Sequence, residues 1–443
     1  MYEIILGRSP SDRKKFDKQG TIFLGKHYVT MERNKVLANP IFLDVNKPHS
    51  ILVAGKRGSG KSYTLGVIAE GIANLPLEIK SNLTTILFDT MGIYWTMKYP
   101  NFKDNELLAK HQLKPIAMAP IIYAPIGKFD ELNDKGIPVD KPFAIKPSQV
   151  SFEQWCEIFG IEILSEEGLL LERILESQEG DFSIKDLVAK IKLDKDVGDT
   201  EKKILKNRFS FVEKWGLFDV KGINLDELLD GGNLNIIDLS IYSQMEGGNK
   251  IKALAISFIA THTLKTRMDA RKDEELQVLK ESSLFAEHES KIPMLQLIID
   301  EAHEFLPREG KTLASYPLIQ ILREGRQPGI STIFATQQPG KIHTDVMTQS
   351  DVVISHRVTS KFDIEALNEI MQTYTTSDLQ KYLENLPKEK GVCIILDDTN
   401  EKIYPMRIRP RLSWHGGADP TAIRGKVLST FTSTISSDDK GLK

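Results

Sequence analysis

Apolar residues cluster into short continuous runs, and stretches of helical period separate them. Ser50–Ala54 is one such run and ends at a glycine-rich loop; a short apolar run bounded by glycine reads as a buried strand. Leu65, Ile68, Ala69 and Ile72 then recur on one helical face. Leu83–Phe88 reads as a second buried strand and Ile121–Ala124 as a third, which is βαβ patterning. Upstream, the β-like runs Tyr2–Leu6, Thr21–Leu24 and Pro40–Val45 are punctuated by Gly and Asn and predict a short β subdomain over residues 1–48.

The pattern changes over residues 128–222. Ser151 and Gln154 form a capping-box sequence, and Phe152, Trp155, Cys156 and Phe159 follow at helical spacing. Leu169–Leu175, Ser183–Ile191 and Thr200–Trp215 are helical in pattern as well. This is an all-helical insertion between a first core part, residues 49–127, and a second, residues 223–417. A lid or spacer is the favoured reading of it, with a winged-helix DNA reader as the competitor. Strand patterning resumes at Leu234–Leu239, and a helix is expected from about Asn249 to Thr266. Residues 265–291 are charge-dense and read as a solvated helix end and loop. Buried strands follow at Leu295–Ile299, Ser331–Ala335 and Val352–Ser355, then a hairpin at Gly391–Leu396 and Lys402–Ile408. Residues 418–443, rich in Ser, Thr, Asp and Lys, read as a flexible tail.

Composition narrows the class. Hydrophobic residues make up 41% of the 443 and charged residues 27%, a globular balance with room for two or three domain-sized units. The net charge of -3 excludes a global basic field for nucleic acid, although a local basic lining can still bind it. The two cysteines, Cys156 and Cys393, sit in apolar surroundings and read as buried free thiols. No signal-peptide core and no long apolar span is visible, so a cytoplasmic protein is expected.

The chemistry begins at GKRGSGKS, Gly55 to Ser62, a full match to G-x-x-x-x-G-K-[ST] between a strand and a helix. Its glycines let backbone N–H groups turn inward on phosphate oxygens, and the helix start adds its positive dipole end. Lys61 supplies a cation to the β- and γ-phosphates and Ser62 a hydroxyl to Mg²⁺. Gly55, Gly58, Ser59, Gly60, Lys61, Ser62 and Tyr63 form the candidate ATP-binding set. Asp300 and Glu301 follow the apolar run Leu295–Ile299, at the ligand-binding edge of a parallel sheet. Asp300 is placed to hold Mg²⁺ and Glu301 to activate water. Asp89 and Gln337 end strands at the same edge. Arg323 and Arg326, three residues apart, offer the extra positive charge that γ-phosphate hydrolysis needs. For each of these, an ordinary polar strand or helix end is the competing reading.

Taken together, GKRGSGKS, Phe88–Asp89, LIIDEAHEFLP (297–307), ILREGRQPGISTIFATQQP (321–339) and MRIRPRLSWHGG (406–417) resemble the HerA-like branch of the HerA/FtsK hexameric ATPases. The resemblance implies an α/β fold: a RecA-like P-loop core with a mostly parallel sheet, a helical insertion and a short N-terminal β segment. It further implies a homohexameric ring that translocates on double-stranded DNA, with a NurA-type nuclease as partner in DNA end processing. By motif match it makes Lys61 and Ser62 the Walker A pair, Asp300 the Walker B acid and Glu301 the catalytic glutamate. Arg326 becomes the trans arginine finger, Gln337 the polar sensor and Asp89 an acid at the second strand. The DEAH string at 300–303 lacks the distant second arginine motif that a superfamily 2 helicase needs. The open alternative is a ring-forming ATPase that acts as a protein-remodelling or regulatory scaffold without DNA translocation.

Overall fold

The computed structural model describes residues 2–31, 34–280, 292–371, 387 and 389–417. Its thirteen strands, in chain order, are β1 (Ile4–Leu6), β2 (Thr21–Met31), β3 (Asn34–Asp44), β4 (Ser50–Ala54), β5 (Leu83–Asp89), β6 (Ile121–Pro125), β7 (Lys141–Phe143), β8 (Leu234–Asp238), β9 (Met294–Ile299), β10 (Ile330–Thr336), β11 (Val352–His356), β12 (Val392–Asp397) and β13 (Lys402–Ile408). They form one sheet in the order β1-β3-β2-β13-β12-β11-β4-β10-β9-β5-β8-β6-β7. From β11 to β7 every neighbouring pair is parallel. From β11 to β3 the pairing is antiparallel.

The parallel part is buried on both faces, which is why its strands are apolar without alternation. Leu52 and Ala54 point to one core, Ile51 and Val53 to the other, following the two-residue period of a strand. One core holds the helix Lys61–Ala73 through Leu65, Ile68 and Ile72. The other holds the long helix Gly248–Lys280 and the helices of residues 152–213. Trp155 anchors that second layer, with its ring 5.2 Å from Phe209 and 5.3 Å from Phe218. Because this packing is continuous with the sheet, the insertion is a covering layer of the same body.

Several boundaries differ from the pattern in the sequence. The early β runs are not a separate subdomain in space, since β2 hydrogen-bonds to β13 and so joins the main sheet. Strands β2 and β3 extend well past their apolar parts as a two-stranded ribbon. The insertion includes one edge strand, β7, beside β6. A helix at Pro10–Phe16, capped by Ser9, was invisible to periodicity because none of its residues is buried. The long helix runs to Lys280, stabilised past Thr266 by pairs such as Arg271 with Glu274 and Glu275. The tail at 418–443 lies outside the described residues.

Candidate nucleotide site

The loop Gly55–Ser62 joins β4 to the helix Lys61–Ala73 at the C-terminal edge of the parallel strands. It is tied to its neighbours through Gly55 N–H donating to Thr336 O (3.2 Å) and Lys56 N–H donating to Arg357 O (3.0 Å). Two glycines are required by geometry. Gly60 has φ 116°, a left-handed value, and a Cβ on Gly55 would lie 2.7 Å from His356 Cβ. Lys61 is buried, its Nζ 3.4 Å from Lys56 O. Burial lowers its pKa, and the nearby charges of Glu301 and Asp300 oppose that shift. The Ser62 hydroxyl has no hydrogen-bond partner among the described residues, so it is available to a ligand.

Beside the loop, β9 runs between β5 and β10 and delivers Asp300 and Glu301. Asp300 is buried; its Oδ1 accepts from Glu301 N–H (2.9 Å) and its Oδ2 from the Tyr94 hydroxyl (3.0 Å). Glu301 sits in the left-handed region at φ 52°, unusual for a non-glycine and a form of stored backbone strain. Its Oε1 accepts from Gln337 Nε2, and Oε2 is buried with no hydrogen-bond donor. His303 Nδ1 is 3.5 Å from Oε2, and burial lowers the pKa of that imidazole. Burial raises the Glu301 pKa, and the Asp300 charge adds to the effect. A buried carboxylate with a raised pKa and one unsatisfied oxygen is suited to accept a proton from water.

This donor set fits Mg²⁺. That ion favours one or two carboxylates plus substrate phosphates over an all-protein cage. Among the described residues there is no cluster of three or more His, Cys, Asp or Glu that could hold a metal. Asp300 and the unpartnered Ser62 hydroxyl are what remains for it.

The other expected residues are occupied by protein contacts or stand away from the loop. The Asp89 carboxylate is taken up by the turn that follows it, accepting N–H bonds from Met91 (3.1 Å), Gly92 (2.7 Å) and Tyr94 (2.8 Å). Burial and the charge of Asp238, its register partner on β8, push its pKa well above the usual carboxylate range. Tyr63 turns toward the C-terminal segment, where its hydroxyl accepts from Arg411 N–H at 2.6 Å. Arg323 and Arg326 precede β10, whereas the phosphate loop lies at its other end. Seven residues at about 3.3 Å each separate the two by roughly 20 Å. Arg323 is held by Asp345 (2.6 Å). Arg326 is exposed and lines a cleft of about 310 Å³ with Pro48, Arg267, Arg271 and Met294.

Three contributors were not singled out from sequence. Tyr94 is fully buried and bridges toward both Asp300 and Ser62 O (3.3 Å). His356 lies under the loop, its Nε2 2.8 Å from Thr64 Oγ1, and burial lowers its pKa to about 4. Glu70, on the phosphate-loop helix, binds Arg409 Nη1 (2.6 Å), Leu412 N (2.8 Å) and Ser413 N (3.1 Å). The only sequence signals were the five-residue spacing of Tyr94 from Asp89 and the apolar setting of Glu70 within a helix.

A phosphate-binding loop, a buried lysine and an acidic strand tip on one edge of a parallel sheet define a P-loop ATPase. VirB4 of Thermoanaerobacter pseudethanolicus shares the fold, with a TM-score of 0.52 at 13% identity over 88% of this chain and 96% of that one. The family model "Helicase HerA, central domain" matches residues 22–266, more than half of the chain, and the chain belongs to that family. Among curated relatives, the "Probable DNA double-strand break repair helicase HerA" of Methanocaldococcus jannaschii is 26% identical over 81% of this chain and 68% of its own length. The "DNA double-strand break repair helicase HerA" of Saccharolobus solfataricus is 22% identical over 78% of this chain and 61% of its own length. The family match ends before Asp300, so the acidic tip rests on its geometry beside the loop.

Proposed function

We propose that this chain hydrolyses ATP between subunits of a ring and uses the cycle to move along double-stranded DNA. One observation carries the chemistry: Lys61, Ser62, Asp300, Glu301 and Gln337 lie together at one sheet edge, with Glu301 Oε2 buried and lacking a donor. Glu301 takes the proton of the attacking water while Gln337, hydrogen-bonded to Oε1, holds the carboxylate in place. Lys61 and the loop N–H groups neutralise the phosphates. Mg²⁺, held by Ser62 and Asp300, would supply further positive charge to the β- and γ-phosphate oxygens.

Arg326 completes the site from a neighbouring copy. Its place at the opposite end of β10, exposed and unpaired, supports action in trans, since roughly 20 Å of strand separate it from its own loop. The family also brings the proposals of a homohexamer and of a NurA-type nuclease partner in DNA end processing. No helix among the described residues is long and apolar enough to cross a membrane.

The test is ATPase rate against duplex DNA concentration at low and moderate salt. DNA translocation predicts stimulation that weakens as salt rises. A rate indifferent to duplex at every salt concentration favours a remodelling or scaffold ATPase instead.

A further inference from the structure

Tyr94 is the residue of this site with no assigned role. It is fully buried and begins the short helix Tyr94–Lys98. Its hydroxyl has one proton and two acceptors in reach, Asp300 Oδ2 at 3.0 Å and Ser62 O at 3.3 Å. The nearer acceptor is a carboxylate, and hydrogen bonds to charged acceptors are the stronger kind. The phenol therefore lies between the acidic strand tip and the backbone carbonyl of Ser62.

What aims the phenol is Asp89. Its Oδ1 accepts from Met91 and Gly92 and its Oδ2 from Tyr94 itself, which fixes the turn between β5 and the short helix. That turn has no slack. Gly92 takes φ +70°, and a Cβ there would lie 2.6 Å from Ser240 Oγ. A carboxylate at the end of one strand thus orients a phenol, and the phenol orients a second carboxylate at the end of the adjacent strand β9. Both Asp300 oxygens then have a fixed protein donor, one from Tyr94 and one from Glu301 N–H. Each oxygen keeps a further lone pair for a cation.

We propose that Tyr94 is a positioning residue that sets Asp300 against Ser62, so that the pair is preorganised for Mg²⁺ before nucleotide arrives, and that Asp89 acts through it. A preoriented carboxylate loses less freedom when the ion binds, which tightens the ion and leaves metal-free phosphate contacts alone. The inference rests on the reading of Asp300 as the metal-side carboxylate.

The experiment uses the full chain and a fluorescent N-methylanthraniloyl ATP. Its affinity is measured in EDTA and then at rising MgCl₂ for wild type, Tyr94→Phe, Asp300→Asn and the double variant. Tyr94→Phe should bind within about twofold of wild type in EDTA. It should need roughly five- to tenfold more MgCl₂ for half-maximal tightening, within the range expected for the net worth of one ordinary hydrogen bond. Asp300→Asn should lose the Mg²⁺-dependent tightening, and the double variant should match it, because the phenol acts only through that carboxylate. An unchanged Mg²⁺ midpoint in Tyr94→Phe beside an impaired Asp300→Asn overturns the proposal and leaves the reading of Asp300 standing. A wild-type Mg²⁺ response in Asp300→Asn removes that reading, and the proposal with it. Loss of EDTA affinity and of urea stability in Tyr94→Phe, additive with Asp300→Asn, marks a merely structural phenol and also overturns it.

Discussion

Glu70→Ala is expected to destabilise the protein by about 3–5 kcal/mol, the cost typical of breaking a buried ion pair from one side. Glu70 is fully buried on the helix that starts at Lys61. It accepts from Arg409 Nη1 at 2.6 Å, Leu412 N at 2.8 Å, Ser413 N at 3.1 Å and Ser413 Oγ at 2.8 Å. Arg411 Nε lies 3.8 Å away and has no hydrogen-bond acceptor. Removing the carboxylate takes the counter-charge from two buried guanidinium groups and leaves two backbone N–H donors without their acceptor. Glu70→Gln keeps the shape and one acceptor, so its cost should be smaller, about 1–3 kcal/mol. Urea unfolding of nucleotide-free protein, followed by tryptophan fluorescence, measures both. Trp414 is next to Ser413, and its N–H donates to Tyr99 O at 2.7 Å, so the probe sits in the affected segment. Because Glu70 lies on the phosphate-loop helix, KM for ATP should rise before kcat falls. The reasoning is refuted if Glu70→Ala unfolds within about 0.5 kcal/mol of wild type, or if its effect simply adds to that of Arg409→Ala.

Glu301→Gln should still bind ATP while single-turnover hydrolysis slows by about 10²–10⁴, the usual worth of a positioned general base. Arg326→Ala should lose about 10³-fold or more in steady-state turnover, and mixing it with Glu301→Gln subunits should restore part of the rate; no recovery argues against action in trans. Arg323→Ala, whose exposed pair with Asp345 is worth about 0–1 kcal/mol, should leave the urea midpoint nearly unchanged. The Asp89 and Asp238 carboxyls both have raised folded pKa values, from burial first and, for Asp89, also from the Asp238 charge. Each holds its proton more tightly folded than unfolded. Their contribution is full below the unfolded pKa near 3.8 and is lost as pH rises through the folded values. Asp238→Asn should flatten that decline in a series of urea midpoints from pH 4 to 8, and an unchanged slope would contradict the assignment.

The parallel strands and the phosphate loop were legible because their signals are local. A strand buried on both faces leaves an unbroken apolar run, and the loop needs its glycines and lysine in one octapeptide. Asp300 and Glu301 could be read for the same reason, as the tip of such a run. Burial of charge by distant partners was not legible. Arg267 stands at the edge of a charge-dense stretch that reads as solvated, yet it is 1% exposed, its Nε donating to Pro328 O at 2.7 Å. Arg409 and Arg411 look like surface basics until Glu70, more than 300 positions away, is seen between them. Asp89 shows the converse limit. Its place at a strand end marks it as a candidate for the phosphate edge, but in the fold the next turn consumes both its oxygens. The distal halves of β2 and β3 escaped because a two-stranded ribbon beyond the core needs no apolar alternation.

The pairing of β2 with β13 places His27 opposite Met406. A ribosome making about 5–20 residues per second therefore needs on the order of 20–80 s between emitting the first of these residues and the second. Throughout that interval β2 has a free edge where β13 will later lie, while β3 forms on its other side. An unpaired edge of this kind invites association with other chains. Newly made chains thus carry this open β2 edge until the last described strand has been made, and that is the window for misassembly through it.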